Sequence, residues 1–234
     1  MLSYRQQRLA TLYNRHEGET CVLVCNGPSL NQMNLSFLKR ETVIGLNKIF
    51  LGFKKFNFYP RYWVGVNRKV IEQSFQEIRA LNCVKFISEH NSQGLIPEDA
   101  LTYLLNTHNP KQRFSTDLTQ GLHEGWTVTY AALQVAYFLG FHKVIIIGMD
   151  HKFSYTGKPN EAQKMQGNDP NHFAPGYFAN GQAWDNPDIE NSENSYRLAK
   201  EFFEQDGRQI IDATLGGHCT IFEKNHYQTL FKID

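Results

Sequence analysis

No apolar run in these 234 residues approaches the ~20 that a membrane span needs. The first 18 residues, MLSYRQQRLATLYNRHEG, lack the apolar centre of a signal peptide and read as an amphipathic helix. Excess charge is also missing, because 24 Lys and Arg stand against 23 Asp and Glu. With a net charge of +1 there is no basic field to track a phosphate backbone, so nucleic acid is not an expected partner. Cysteine is scarce. Cys21 and Cys25 fall on one strand, where four residues of rise hold them about 13 Å apart, too far for a mutual disulfide. Buried thiols in a reducing cytoplasm account for the four cysteines. Cytoplasmic placement is expected, with peripheral contact at the inner membrane left open. Several chemical signatures are absent as well. No GxxxxGK[ST] loop, no GxGxxG after the first strand and no HExxH or paired CxxC occurs, which argues against P-loop, dinucleotide and zinc chemistry. No DxD pair or carboxylate cluster follows a strand, so no metal ligands are assigned.

What is present is a series of short β-branched runs that read as buried parallel strands: residues 21–25 (CVLVC), 42–46 (TVIGL), 62–66 (YWVGV), 84–87 (VKFI), 144–147 (VIII) and 209–211 (QII). Amphipathic stretches lie between some of them. Residues 69–81 carry Val70, Ile71, Phe75, Ile78 and Leu81 at helical spacing. Residues 127–139 are almost free of charge and predict a helix buried against the sheet, and residues 191–205 predict an amphipathic one. The alternation implies a doubly wound, mostly parallel α/β sheet in a single nucleotide-binding unit over residues 1–234. Residues 151–188 break the rhythm. They are rich in Gly, Pro and Asn, far longer than an ordinary connection, and too aromatic for a disordered tract. They are expected to form a lid or substrate-binding excursion.

The strand ends carry the functional argument. CVLVC is followed by Asn26, TVIGL by Asn47 and YWVGV by Asn67, while VIIIGM leads to Asp150. Ligands of open parallel sheets bind beyond those ends. An asparagine amide offers two donors and an acceptor without a charge to desolvate, and it also tolerates the turn that follows a strand. In the first loop, Gly27 permits close backbone approach, Pro28 suits a helix first turn, and Ser29 can cap that turn or donate to a phosphate. Amides exposed at a helix start form an anion site.

The string VLVCNGPSLNQMNLSFL resembles the amino-terminal motif of the bacterial sialyltransferases of glycosyltransferase family forty-two. It also resembles the wider superfamily holding the 6-hydroxymethylpterin diphosphokinases (MptE-like) and the flagellin-modifying glycosyltransferases. GLNKIF and GVNRKV resemble that superfamily's next two nucleotide-contacting segments. TVTYAALQVAYFLGFHKVIIIGMDHKF and ENSENSYRLAKEFFEQDGRQIIDAT are similar to its buried helix, lid entrance and final helix and strand. The resemblance implies a Rossmann-like sheet with a lid insertion over a nucleotide-activated, CMP-linked sugar donor and no tightly bound cofactor. It implies donor contacts from Asn26, Gly27, Ser29, Asn47, Asn67, Thr127 and Thr129. Lid tyrosines would bond the leaving phosphate, with Tyr155 the closer match and Tyr177 a second candidate. One departure stands out. Where the family has a catalytic histidine before the last helix, this chain has Asn191, and an asparagine is no base. Either a lid residue such as His172 takes the role or the reaction differs.

The expected activity is therefore metal-independent, inverting transfer of a sugar, of the sialic-acid-like nonulosonate class if the resemblance extends so far, to a glycan or lipid-linked glycan acceptor in surface-glycan synthesis. His172 would serve as base, with His151 a weaker alternative, and a histidine suits that task near neutral pH. Asp150 either contributes to the donor site or only caps a turn. Two alternatives remain: ATP- and Mg²⁺-dependent pyrophosphate transfer, and a nucleotide-binding module without catalysis.

Overall fold

The computed structural model describes residues 2–108 and 113–233. Helix α1 (Tyr4–Ala10) opens the chain on a capping box, in which Ser3 and Gln6 satisfy each other's backbone amides. It is shorter than the amphipathic stretch predicts. Turns take over after Ala10, with Asn14 and Gly18 both at positive φ, and only Leu9 of the helix is buried.

The chain then lays down β1 (Thr20–Val24), β2 (Val43–Leu46), the short helix α2 (Phe53–Phe56), and β3 (Tyr62–Gly65). Helix α3 (Arg68–Ala80) leads to β4 (Val84–Ser88), the one-turn helix α4 (Glu89–Ser92) and β5 (Thr102–Leu105). A two-residue pair, β6 (Thr107–His108) and β7 (Leu122–His123), precedes helix α5 (Val128–Phe138). After β8 (Lys143–Ile147), a small antiparallel pair forms from β9 (Ala162–Lys164) and β10 (Ala183–Asp185). Helix α6 (Ile189–Gln205), β11 (Gln209–Asp212), β12 (Glu223–Lys224) and helix α7 (Tyr227–Leu230) complete the chain.

Eight strands form one parallel sheet in the order β12-β11-β8-β1-β2-β3-β4-β5. This is the expected doubly wound, Rossmann-like architecture. The sheet exceeds the six predicted runs by two edge strands. β5 (TYLL) has a single β-branched residue, Thr102, and β12 has only two residues, both exposed. The chain winds outward from β1 to β5, then returns through α5 to β8 on the opposite side of β1. The winding therefore reverses between β1 and β8, where such sheets bind ligands.

Strand alternation divides the core into two layers. Cys21, Leu23 and Cys25 face α5 and α6, whereas Val22 and Val24 face α3 and the excursion. Every residue of α5 from Thr129 to Phe138 is buried. The 151–188 segment is more than a covering flap, since Phe173, Tyr177, Phe178 and Trp184 are themselves buried in the second layer. All four cysteines are free and buried. No helix among the described residues is long and apolar enough to cross a membrane.

Candidate active site

Register puts the strand ends on one level. Val24 lies opposite Gly45 and Ile147, and Leu46 lies opposite Val64. Residues just beyond those points therefore share an edge, and a cavity of about 650 Å³ lies along it. Asn26, Gly27, Asn47, Asn67, Thr127, Thr129, Asp150, His172 and Tyr177 all line it. Pro28, Ser29 and Tyr155 do not.

The first loop works differently from the sequence expectation. Pro28 starts a single 3₁₀ turn, Pro28–Gln32, whose amino end is filled by the protein itself. The Asp150 carboxylate accepts from the Ser29 amide at 3.0 Å and the Ser29 hydroxyl at 2.7 Å. A carboxylate thus occupies the position where a phosphate was expected, and Ser29 is spent on it. Gly27 is required for the same reason, because a Cβ there would lie 1.8 Å from Asp150 Oδ2. The close approach that glycine permits is to Asp150.

The asparagines differ from one another. Asn67 Oδ1 accepts from the Val70 amide at 3.0 Å and caps α3. Asn26 donates through Nδ2 to the Leu46 carbonyl, which ties β1 to β2 across the cavity floor. Asn26 Oδ1 and Asn47 Oδ1 are buried with no partner among the described residues, and so is Oδ1 of Asn186, a third asparagine of the lining. Unpaired buried acceptors cost about 1–3 kcal/mol each, and all three belong to residues of one lining. Asn47, Trp126 and His151, also of the lining, hold left-handed backbone angles of +45°, +61° and +53°. Asparagine and histidine visit this region more readily than most residues, whereas for the bulky Trp126 the angle is costly and persists because the surroundings enforce it.

The excursion supplies the proton-handling groups. His172 Nδ1 is 2.7 Å from Asp169 Oδ2, and the Asp169 side chain is fully buried. Burial opposes ionisation of Asp169. Hydrogen bonds from His172 and from the Asn171 and Phe178 amides more than offset it and hold the carboxyl below its ordinary pKa. The imidazole stacks face to face on Tyr177 at 3.8 Å, which locks its plane. With Nδ1 committed to a carboxylate, Nε2 is the nitrogen left to take a proton. A second pair joins His151 Nε2 to Glu193 Oε1 at 3.1 Å. Tyr177 is deeply buried, which pushes its phenol well above the usual range, and its hydroxyl accepts from the Lys48 amide. Tyr155 packs against the second core layer instead. Asn191 lies in the first turn of α6, bonded to Asp188, and is outside the lining.

Thr127 caps α5 and reaches the Tyr196 hydroxyl at 3.3 Å, while Thr129 lies 3.6 Å from the Cys25 thiol. Trp184, a candidate acceptor platform from the sequence, lines the cavity, and so do Glu124, Trp126, Asn160, Asn171 and Asn186, which the sequence did not single out. Only the His-Glu-Gly-Trp-Thr string before the buried helix carried a signal, since glycine beside a cap marks a constrained turn. Among the described residues, no group of three or more His, Cys, Asp or Glu side chains is placed to hold a metal ion.

Comparison with known proteins adds a family. The model of the family described as 6-hydroxymethylpterin diphosphokinase MptE-like matches residues 2–156, more than half of the chain. The chain belongs to the MptE-like family. The matched part of this MptE-like chain runs from α1 through β8 to the entrance of the excursion and includes every strand-end asparagine. Among solved structures, the MAf glycosyltransferase from Magnetospirillum magneticum AMB-1 matches at a TM-score of 0.55 and 16% identity. The match covers all of the MptE-like chain and 40% of that protein, so this chain spans about two fifths of its length, and the likeness is one of fold. No curated protein matches the MptE-like chain significantly.

Proposed function

We propose that this cavity binds a nucleotide-activated sugar, CMP-linked in the preferred reading, and that the protein transfers the sugar with inversion to a glycan or lipid-linked glycan acceptor. The observation that carries the reading is His172, held by the buried Asp169 on the wall of a cavity at the sheet's reversal point. In this reading, His172 Nε2 takes the proton of the acceptor hydroxyl as the new glycosidic bond forms. The bond from the sugar to the phosphate breaks, and its electron pair leaves with the phosphate. Tyr177, kept protonated by burial, replaces Tyr155 as the lid hydroxyl able to donate to that phosphate. The buried aromatics of the excursion exclude water that would hydrolyse the donor.

The charge of the lining supports a donor with few phosphates. It contains Lys152 and no arginine, against Glu124, Asp150 and Asp185. A triphosphate would meet little compensating charge there unless divalent ions came with it. The family's description nevertheless favours a second reading, pyrophosphate transfer from ATP to a pterin. Incubation with CMP-linked sugars, or with ATP, Mg²⁺ and 6-hydroxymethylpterin, followed by phosphorus NMR, separates the two. Release of CMP, reduced about 10²–10⁴-fold in His172→Ala, is the expected result. Formation of AMP from ATP, with no CMP release, would replace the first reading by the second.

A further inference from the structure

Glu124 sits in the turn between β7 and α5 and lines the cavity. Asn91 Nδ2 donates to its Oε1 at 2.8 Å and Ser88 Oγ at 3.3 Å, and Thr107 adds a side-chain hydrogen bond. All three partners are uncharged, and among the described residues only His90 acts on the carboxyl by charge. Among the described residues, a partly buried carboxylate is thus aimed by neutral groups and left without an ion pair. An ionised carboxylate has about four acceptor sites, so capacity remains beyond these three. Burial raises its pKa, and hydrogen bonds from Thr107 and Ser88 oppose that rise.

The turn itself is held under strain. Gly125 and Trp126 are consecutive left-handed residues, at φ +57° and +61°. Gly125 has no alternative, because a Cβ there would lie 2.1 Å from the Tyr130 ring. Trp126 has no such exemption, and the angle places its side chain on the cavity wall beside Glu124. Asn26, Asn47 and Asn186 of the same lining each bury an oxygen without a partner among the described residues. The lining also carries Glu124, Asp150 and Asp185 against a single lysine, Lys152, so the end of the cavity at Glu124 suits neutral N–H and O–H donors rather than a phosphate.

We propose that Glu124 determines specificity, its carboxylate accepting hydrogen bonds from a neutral, donor-bearing part of the bound nucleotide that lies against Trp126. This rests on the nucleotide reading given above. In a cytosine or adenine nucleotide two parts carry such donors, the exocyclic amine of the base and the ribose hydroxyls, while uracil and hypoxanthine replace the amine by a ring N–H.

The test is thermal stabilisation and titration of the full chain by CMP, UMP, AMP and IMP, and by 2′,3′-dideoxy-CMP, in wild type and Glu124→Gln. The carboxamide keeps the shape and replaces half of the acceptor surface with a donor. The expected result is an affinity loss of about 10-fold for the preferred nucleotide and less than 2-fold for the analogue that lacks the recognised donor. Loss of discrimination between CMP and UMP, or between AMP and IMP, assigns the amine. Loss between CMP and its dideoxy form assigns the ribose. Glu124→Asp, which keeps the charge but withdraws it by one methylene, serves if the amide variant does not fold, and the same selective loss is expected. Equal weakening of every ligand, as a purely structural anchor for Ser88 and Asn91 would give, overturns the proposal, as does no change at all. Failure of wild type to bind any nucleotide overturns the donor reading with it, whereas binding indifferent to Glu124 overturns this inference alone.

Discussion

Single residues in this protein act mainly by occupying other residues. Asp150 spends its carboxylate on Ser29, and Asp169 spends its own on His172 and two backbone amides. Asp169→Asn should lower stability by about 1–3 kcal/mol at neutral pH, since it leaves buried donors poorly matched. The sign with pH follows from linkage. The folded-state pKa lies below the ordinary value, so the stabilisation is complete above the unfolded pKa and lost as pH falls through the folded one. Urea melts of wild type and variant should differ most at neutral pH and converge in acid. Gly27→Ala should cost about 1–3 kcal/mol by overpacking and dislodge Asp150, because the new methyl would overlap its Oδ2. A drop in the melting temperature checks it, and a fully neutral variant would show that the contact is easily relieved. Neither contact was legible in the sequence. Ser29 and Asp150 are separated by 121 positions, and from the sequence Asp150 reads as a donor-site residue or a turn cap, with no sign of its tie to Ser29.

At the scale of elements, the excursion is fastened to the sheet by a buried lysine. Lys48, directly after Asn47, is 4% exposed and extends Nζ to the Tyr177 carbonyl at 2.7 Å and to Gln73 Oε1 at 3.0 Å. The ammonium also lies 4.7 Å from the Phe178 ring centre, so one side chain joins the end of β2, helix α3 and the excursion. Desolvation lowers its pKa to about 8, with only distant help from Glu77 and Asp169. A lysine depressed in the folded state penalises folding while it is protonated. That penalty lifts as pH rises from about 8 towards the unfolded value of about 10.4. Wild type should therefore gain stability over that interval relative to Lys48→Met, measured by parallel urea titrations at pH 7 and pH 10. Parallel curves would show that the buried ammonium carries no such penalty. The strands and long helices were legible because their periodicity is local. The excursion's role in the core was hidden, because its aromatics are spaced without a period and become buried only against the distant faces of β1 and α3.

At the scale of the molecule, the site belongs to the edge where the sheet reverses. A nucleotide at about 100 times its dissociation constant stabilises the folded state by roughly 2.7 kcal/mol. For a chain of this size that should raise the melting temperature by about 5–10 °C. The rise should be largest for nucleotide sugars and smaller for ATP without Mg²⁺. Equal shifts for all, or none, would show that the unpaired oxygens of Asn26, Asn47 and Asn186 do not answer to such ligands.

The amino-acid sequence by itself determined the parallel sheet, its central strands and the placing of Asn26, Asn47, Asn67 and Asp150 at strand ends. Each of these depends on hydrophobic period and chain order, which are written in neighbouring residues. The tertiary structure decided which of those side chains stay open to a ligand and which are consumed by a partner. It joined Ser29 to Asp150, made Asn67 a cap, moved Tyr155 out of the lining and brought Glu124 and Asn186 in. Those outcomes depend on strand order and on contacts between residues far apart in the chain. Their geometry exists only once the sheet has reversed at β1 and the excursion has packed back onto it.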